Sequence, residues 1–239
     1  MYLSVLCALA AVVAAIAMVA GDRAKVVGDT PEARVASVSR IASAAPPGAG
    51  QALAGAATED PDAGVRQAAM AGLAQFVRPE FRPSVESGLK DGSPKVRAAA
   101  AGTLSLYRDE KAANALDELA KADADRQVRR AALTGLGQCP GPRAIVTLLE
   151  TAERETDPEL RVYAMRALAA KLGARIDLEM SPRNDAAWRK LVQRLKRMNA
   201  IENAYNSLGT KLVHHPEDEE RGHTEPRQAS GTPTGQPGR

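Results

Sequence analysis

An arginine recurs along this chain at Arg34, Arg66, Arg97, Arg129 and Arg161, at intervals of 32, 31, 32 and 32 residues. The residue before it is Ala33, Val65, Val96, Val128 and Leu160 in turn. A fixed period of this length belongs to stacked supersecondary units, each of which can bury its apolar face only against its neighbours. A chain written this way builds a solenoid and not a sphere around one closed core.

The unit can be read position by position from each arginine. Four residues earlier stand Thr30, Asp62, Ser93, Asp125 and Asp157, all residues whose side-chain oxygen can accept from an orphan N–H at a helix start. The next position holds Pro31, Pro94 and Pro158 in three of the five copies, and proline suits the first helical position because its missing N–H is not needed there. Downstream, an apolar stripe is expected from three sets of residues. They lie two residues on (Ala36, Ala68, Ala99, Ala131, Tyr163), four on (Val38, Met70, Ala101, Leu133, Met165) and seven on (Ile41, Leu73, Leu104, Leu136, Leu168). Only seven residues of the chain are aromatic, so the core must come from Ala, Leu, Val and Met in closely packed helices. Second helical segments lie between the first ones, clearest at 113–122 and 142–155, shorter at 85–91 and weakest at 50–59.

The text DPDAGVRQAAMAGLAQF, DGSPKVRAAAAGTLSLY, DADRQVRRAALTGLGQC and DPELRVYAMRALAAKLG resembles the short HEAT-like repeat of the phycobilisome-lyase type. The resemblance covers residues 60–173 and extends weakly to 29–42. It implies an all-α solenoid of about five helix–turn–helix repeats over 29–173. It also implies a ladder in which the repeated arginines pair with acidic loop residues, here Asp60, Asp91 and Asp123, with Glu155 in the same place in the fourth full repeat. On that basis Arg34, Arg66, Arg97, Arg129 and Arg161 are expected to tie repeats together and not to bind a ligand.

Residues 2–20 are uncharged, and nineteen helical residues span about 28 Å, close to the hydrocarbon thickness of a bilayer. No Lys or Arg precedes Arg23, and the stretch exceeds the usual apolar core of a secretory signal. The expectation is a transmembrane anchor over 1–21 with a juxtamembrane linker at 22–28. Arg23, Lys25, Arg34 and Arg40 on its C-terminal side place the body in the cytoplasm by the positive-inside rule. Cleavage of the leader, for which Ala15-Ile16-Ala17 offers small residues, would export the body instead.

After Gly173 the period stops. Residues 174–206 are expected to form a capping region with one long helix over 184–206, started by Asn184 or Asp185. Trp188, Leu191, Val192, Leu195 and Met198 would lie on its apolar face. Residues 183–199 hold six bases against one acid. A polar cap is the plain reading; Arg189, Lys190, Lys196 and Arg197 could alternatively rest on an anionic membrane surface. The basic run lacks interleaved aromatics, so no nucleic-acid partner is expected. Residues 207–239 have too few apolar side chains to offset ordering entropy and are expected to be a disordered tail.

Chemistry is sparse. His214, His215 and His223 all lie in the tail, where Glu217 could join them as a metal donor only without a rigid frame; a solvated pair is the expectation. Cys7 and Cys139 cannot pair within one folded unit, and Cys139, with no histidine near it in sequence, reads as an inert small residue. No phosphate loop, dinucleotide fingerprint, nucleophile elbow or zinc spacing occurs. The chain therefore reads as a non-catalytic, membrane-tethered scaffold for protein partners, with no cofactor, metal or small-molecule substrate. The alternatives are a bilin-lyase-like subunit of an enzyme complex, which rests on the resemblance alone, and an exported periplasmic HEAT-repeat binding protein.

Overall fold

The computed structural model describes residues 24–173 and 185–209. Among these residues there are eleven α-helices, two short 3-10 turns and no strand. Five first helices, α1 (Pro31–Ala44), α3 (Ala63–Gly72), α5 (Pro94–Ser105), α7 (Arg126–Gln138) and α9 (Pro158–Leu172), each contain one of the repeated arginines. Between them lie the second helices α2 (Ala49–Glu59), α4 (Arg82–Gly88), α6 (Glu110–Ala122) and α8 (Pro142–Arg154). Helices α10 (Asp185–Lys196) and α11 (Asn199–Ser207) follow. The first helices stack in an unbroken row, α1 on α3, α3 on α5, α5 on α7 and α7 on α9, while among the second helices α2 packs on α4, α6 on α8, and α11 follows against α8.

The helix starts follow from local chemistry. Thr30, Asp62, Asp125 and Asp157 sit at extended N-cap positions, and their side chains accept from backbone N–H groups of the first turn. Ser93 has the same backbone but its side chain makes no such bond; the Val96 N–H goes to the Ser93 carbonyl instead. The expected capping role of the Ser93 hydroxyl is therefore corrected.

The core runs the length of the solenoid. Val65, Val96, Val128 and Leu160, just before the arginines, are buried, as are the residues four and seven after them. The residues two after them lie at the edge of this stripe: Ala68, Ala99 and Ala131 are partly buried and pack against the core, Tyr163 is partly exposed and Ala36 is exposed. Three positions along a helix turn the side chain by about 300°, so that set lies about 60° to one side of the residue before the arginine, at the margin of the stripe. The buried position that the sequence reading missed is three residues on, Ser37, Ala69, Ala100, Ala132 and Ala164. Four of these five are alanines, which lets stacked first helices approach closely.

The open end of the first repeat is covered by the segment ahead of it. Ala24 donates to the Pro47 carbonyl and Val27 to Ser37 Oγ, both at 3.2 Å, and Ala24 and Val26 pack on the core. Residues 24–27 of the stretch expected to be a linker thus serve as a lid on the solenoid's first apolar face.

Three expectations need correction. Among the described residues no helix is long and apolar enough to cross a membrane. The longest, α9, has 15 residues and about 22 Å of rise, and it carries Glu159, Arg161, Arg166 and Lys171. The transmembrane helix of the expected fold class is withdrawn on that finding, and the single-pass localisation falls with it; residues 2–20 themselves lie outside the described residues. The single helix expected over 184–206 is two helices, broken at Met198, whose extended backbone (φ −78°, ψ 130°) starts α11. Asn184, Cys7, the three histidines, Glu217 and all of 210–239 also lie outside the described residues.

Candidate functional site

Arg66 and Arg97 each span two loops, and Arg34 makes the forward half of the same contact. Arg66 donates from Nε and Nη2 to the Asp91 carboxylate at 2.8 and 2.9 Å, while its Nη1 reaches back to the carbonyls of Asp60 and Pro61 at 2.9 and 3.0 Å. Arg97 repeats the pattern on Asp123 at 2.8 and 3.0 Å, with Nη1 on the Asp91 and Gly92 carbonyls. Arg34 forks onto Asp60 at 2.8 and 3.0 Å. Each aspartate in turn accepts from the N–H two residues on, at Asp62, Ser93 and Asp125, which folds its own loop. The planar guanidinium matches a carboxylate with two parallel bonds, which a lysine could not supply. Hydrogen bonds from these arginines hold the three carboxyls below the usual range, against a burial effect that pushes them up.

The row changes at the fourth junction. Arg129 keeps its bonds to the carbonyls of Asp123 and Ala124 but meets no carboxylate among the described residues. Glu155 stands where the aspartates stand, and its longer side chain folds back, with Oε1 accepting from the N–H groups of Thr156 and Asp157. Arg126 holds this junction instead, bridging to Asp157 at 2.5 Å and Glu159 at 2.6 Å. Arg161 lies over the ring of Trp188, 5.0 Å from its centroid, and so meets the cap. The Trp188 indole N–H donates to the Ala152 carbonyl at 2.7 Å.

A second polar row crosses the second helices, and sequence reasoning missed it. Arg82 of α4 reaches Asp109, the N-cap of α6, at 2.5 and 3.0 Å, bonds Glu86 at 2.7 Å and stacks over Tyr107. Further along, the buried Asp117 of α6 accepts from Thr147 at 2.5 Å and from Arg143 at 3.2 Å, both on α8, and pairs with Lys121 at 2.8 Å. Burial alone would raise the Asp117 carboxyl, but hydrogen bonds from Lys121, Thr147 and Arg143 together with the Lys121 charge leave it lowered. The signal was present in the sequence: Asp117 shares the buried face of α6 with Ala113, Leu116 and Ala120. Around it the outer faces of α6 and α8 carry Lys111, Glu118, Lys121, Arg143, Glu150 and Arg154, a mixed-charge surface resting on a fixed polar seam.

The C-terminal bases divide. Arg189, Lys190, Arg194 and Arg197 are exposed. Lys196 is 3% exposed and bonds Glu153 of α8 at 2.5 Å. It stands one turn after Val192, on the edge of the apolar face, so it is removed from the set expected at a membrane surface. Cys139 is fully buried; burial pushes its thiol up, and its carbonyl accepts from Lys171 Nζ. That environment opposes thiolate formation.

Stacked two-helix repeats clamped by arginine forks define an all-α helical-repeat solenoid. Residues 50–137 match the family model for HEAT repeats. Among solved structures, the chain is similar to one in the complex of CpcE and CpcF of phycocyanin lyase from Nostoc sp. PCC7120. The two are 20% identical, with 78% of this chain and 74% of that chain covered and a TM-score of 0.50, a likeness of fold. No curated protein matches the chain.

Proposed function

We propose that the chain is a non-catalytic scaffold that binds a protein partner through the outer face of its second helices, chiefly α6 and α8. The observation that carries this reading is the buried Asp117, which ties α6 to α8 under a surface of mixed charge. A rigid surface of this kind loses little freedom when a partner docks. The ladder arginines are consumed by loop contacts or, for Arg161, by the Trp188 ring, which leaves the second-helix face as the variable surface of the solenoid.

A second reading is a subunit of a lyase-like enzyme complex acting with a companion chain, favoured by the likeness to a chain from the CpcE–CpcF complex. Crosslinking and mass spectrometry in native cells, with wild-type chain and the pair Lys111→Glu and Glu118→Lys, separates the two. The scaffold reading expects a captured protein whose yield falls at least about tenfold in the double variant, a change of about 1.4 kcal/mol, with melting unchanged. Capture indifferent to the variant would remove this face. A purified complex that holds a pigment and attaches it covalently would establish the lyase reading instead.

A further inference from the structure

We infer that the exposed basic face of α10 is the docking site for this chain's own acidic segment Glu217–Glu220. Lys190, Arg194 and Arg197 follow one another at spacings of four and three, so they share one side of the helix end. All three are exposed and make no ion pair among the described residues. The nearby base that faces inward, Lys196, already holds Glu153. The cap therefore presents three bases in a row, while its acidic neighbour on α8 is occupied.

The occupant follows from length, position and charge. The described chain ends at Gly209, just beyond α11, and Glu217 is eight residues further on. Eight residues reach at most about 26–29 Å, whereas the nine residues of α11 rise only about 14 Å back toward Arg197. From Lys190 to Arg197 the helix rises about 10 Å, and an extended run of four residues covers about 10–14 Å. Glu217, Asp218, Glu219 and Glu220 supply four consecutive negative charges within that reach. A tether this short gives an effective concentration of order millimolar, so exposed pairs that would be weak between separate molecules become occupied. The segment covers the basic face and competes with any external polyanion for it.

Zero-length carbodiimide crosslinking of the full chain, followed by mass spectrometry, tests this. The expected product joins Lys190 to one of residues 217–220 within a single molecule, with a yield that does not change on dilution and falls at high salt. In a second arm, the variant Glu217→Gln, Asp218→Asn, Glu219→Gln, Glu220→Gln should bind immobilised heparin several-fold more tightly than the native chain. The further changes Lys190→Glu, Arg194→Glu and Arg197→Glu should abolish that gain. Absence of the Lys190 product, together with equal heparin binding by native and neutralised chains, would overturn the proposal. A product that forms only between molecules and grows with concentration would also overturn it and give the face to a second copy.

Discussion

Arg97 and Asp123 lie 26 residues apart and meet through two parallel hydrogen bonds of 2.8 and 3.0 Å, with both side chains mostly out of solvent. The same guanidinium holds the carbonyls of Asp91 and Gly92, so one side chain fixes the loops on either side of its repeat. In a solenoid, stability is approximately a sum of units and nearest-neighbour interfaces. The fork is therefore a term in the interface sum, repeated at Arg34–Asp60 and Arg66–Asp91.

Acid should weaken these interfaces together. The Asp60, Asp91 and Asp123 carboxyls are lowered in the folded chain, first by the arginine hydrogen bonds, so the unfolded chain binds more protons on acidification. Their contribution is full above the unfolded carboxylate value of about 3.9 and is lost as pH falls through the lower folded values. Urea denaturation from about pH 6 down to about pH 2 should show the native chain losing stability mainly below about pH 4. The variant Asp60→Asn, Asp91→Asn, Asp123→Asn should start less stable and decline less. Parallel curves would exclude the ladder from the acid response.

The fourth junction can be repaired. Arg129 and Glu155 have the 26-residue separation of two of the paired sets, yet the glutamate folds back on its own loop. Glu155→Asp shortens the side chain to the length that pairs at Asp60, Asp91 and Asp123. It should raise stability by a few tenths to about 1 kcal/mol, discounted for partial exposure. Calorimetry reads this as a higher melting temperature, and a lower one would show that the Glu155 turn is itself the better arrangement.

Two glycines of α2 should respond oppositely to alanine. A Cβ on Gly50 would stand 2.4 Å from Phe81 Cζ, whereas one on Gly55 meets nothing within 4 Å. Helix propensity favours alanine at both sites by up to about 1 kcal/mol. At Gly50 the ring must move, and overpacking of this kind costs about 1–3 kcal/mol. Urea midpoints at unchanged slope should rise for Gly55→Ala and fall for Gly50→Ala. A rise in both would mean that Phe81 is loosely held.

The first helices were legible because the 32-residue period, the caps and the proline positions all fall in one register. The second helices share no such register: α4 has 7 residues and α6 has 13, so their polar row, Arg82 to Asp109 and Asp117 to Thr147, has no fixed spacing to find. Lys196 was not legible because it stands at the edge of the apolar face, where its long side chain turns inward to a glutamate on another helix, Glu153. The set two residues after each arginine lies at the margin of the stripe, where Ala68, Ala99 and Ala131 pack against the core without being fully buried. The arginine partners came from the resemblance, since contacts across 26 residues are not written in local pattern.

The clamp itself is tested most directly by a double-mutant cycle of Arg97→Ala and Asp123→Ala, followed by thermal and urea denaturation. Charge-assisted bonds of this kind contribute about 1.5–3 kcal/mol, so each single variant should lose an amount in that range. The double variant should lose clearly less than the sum, leaving a coupling of about 1 kcal/mol or more. Additive losses with no coupling would contradict the arginine ladder as the device that joins these repeats.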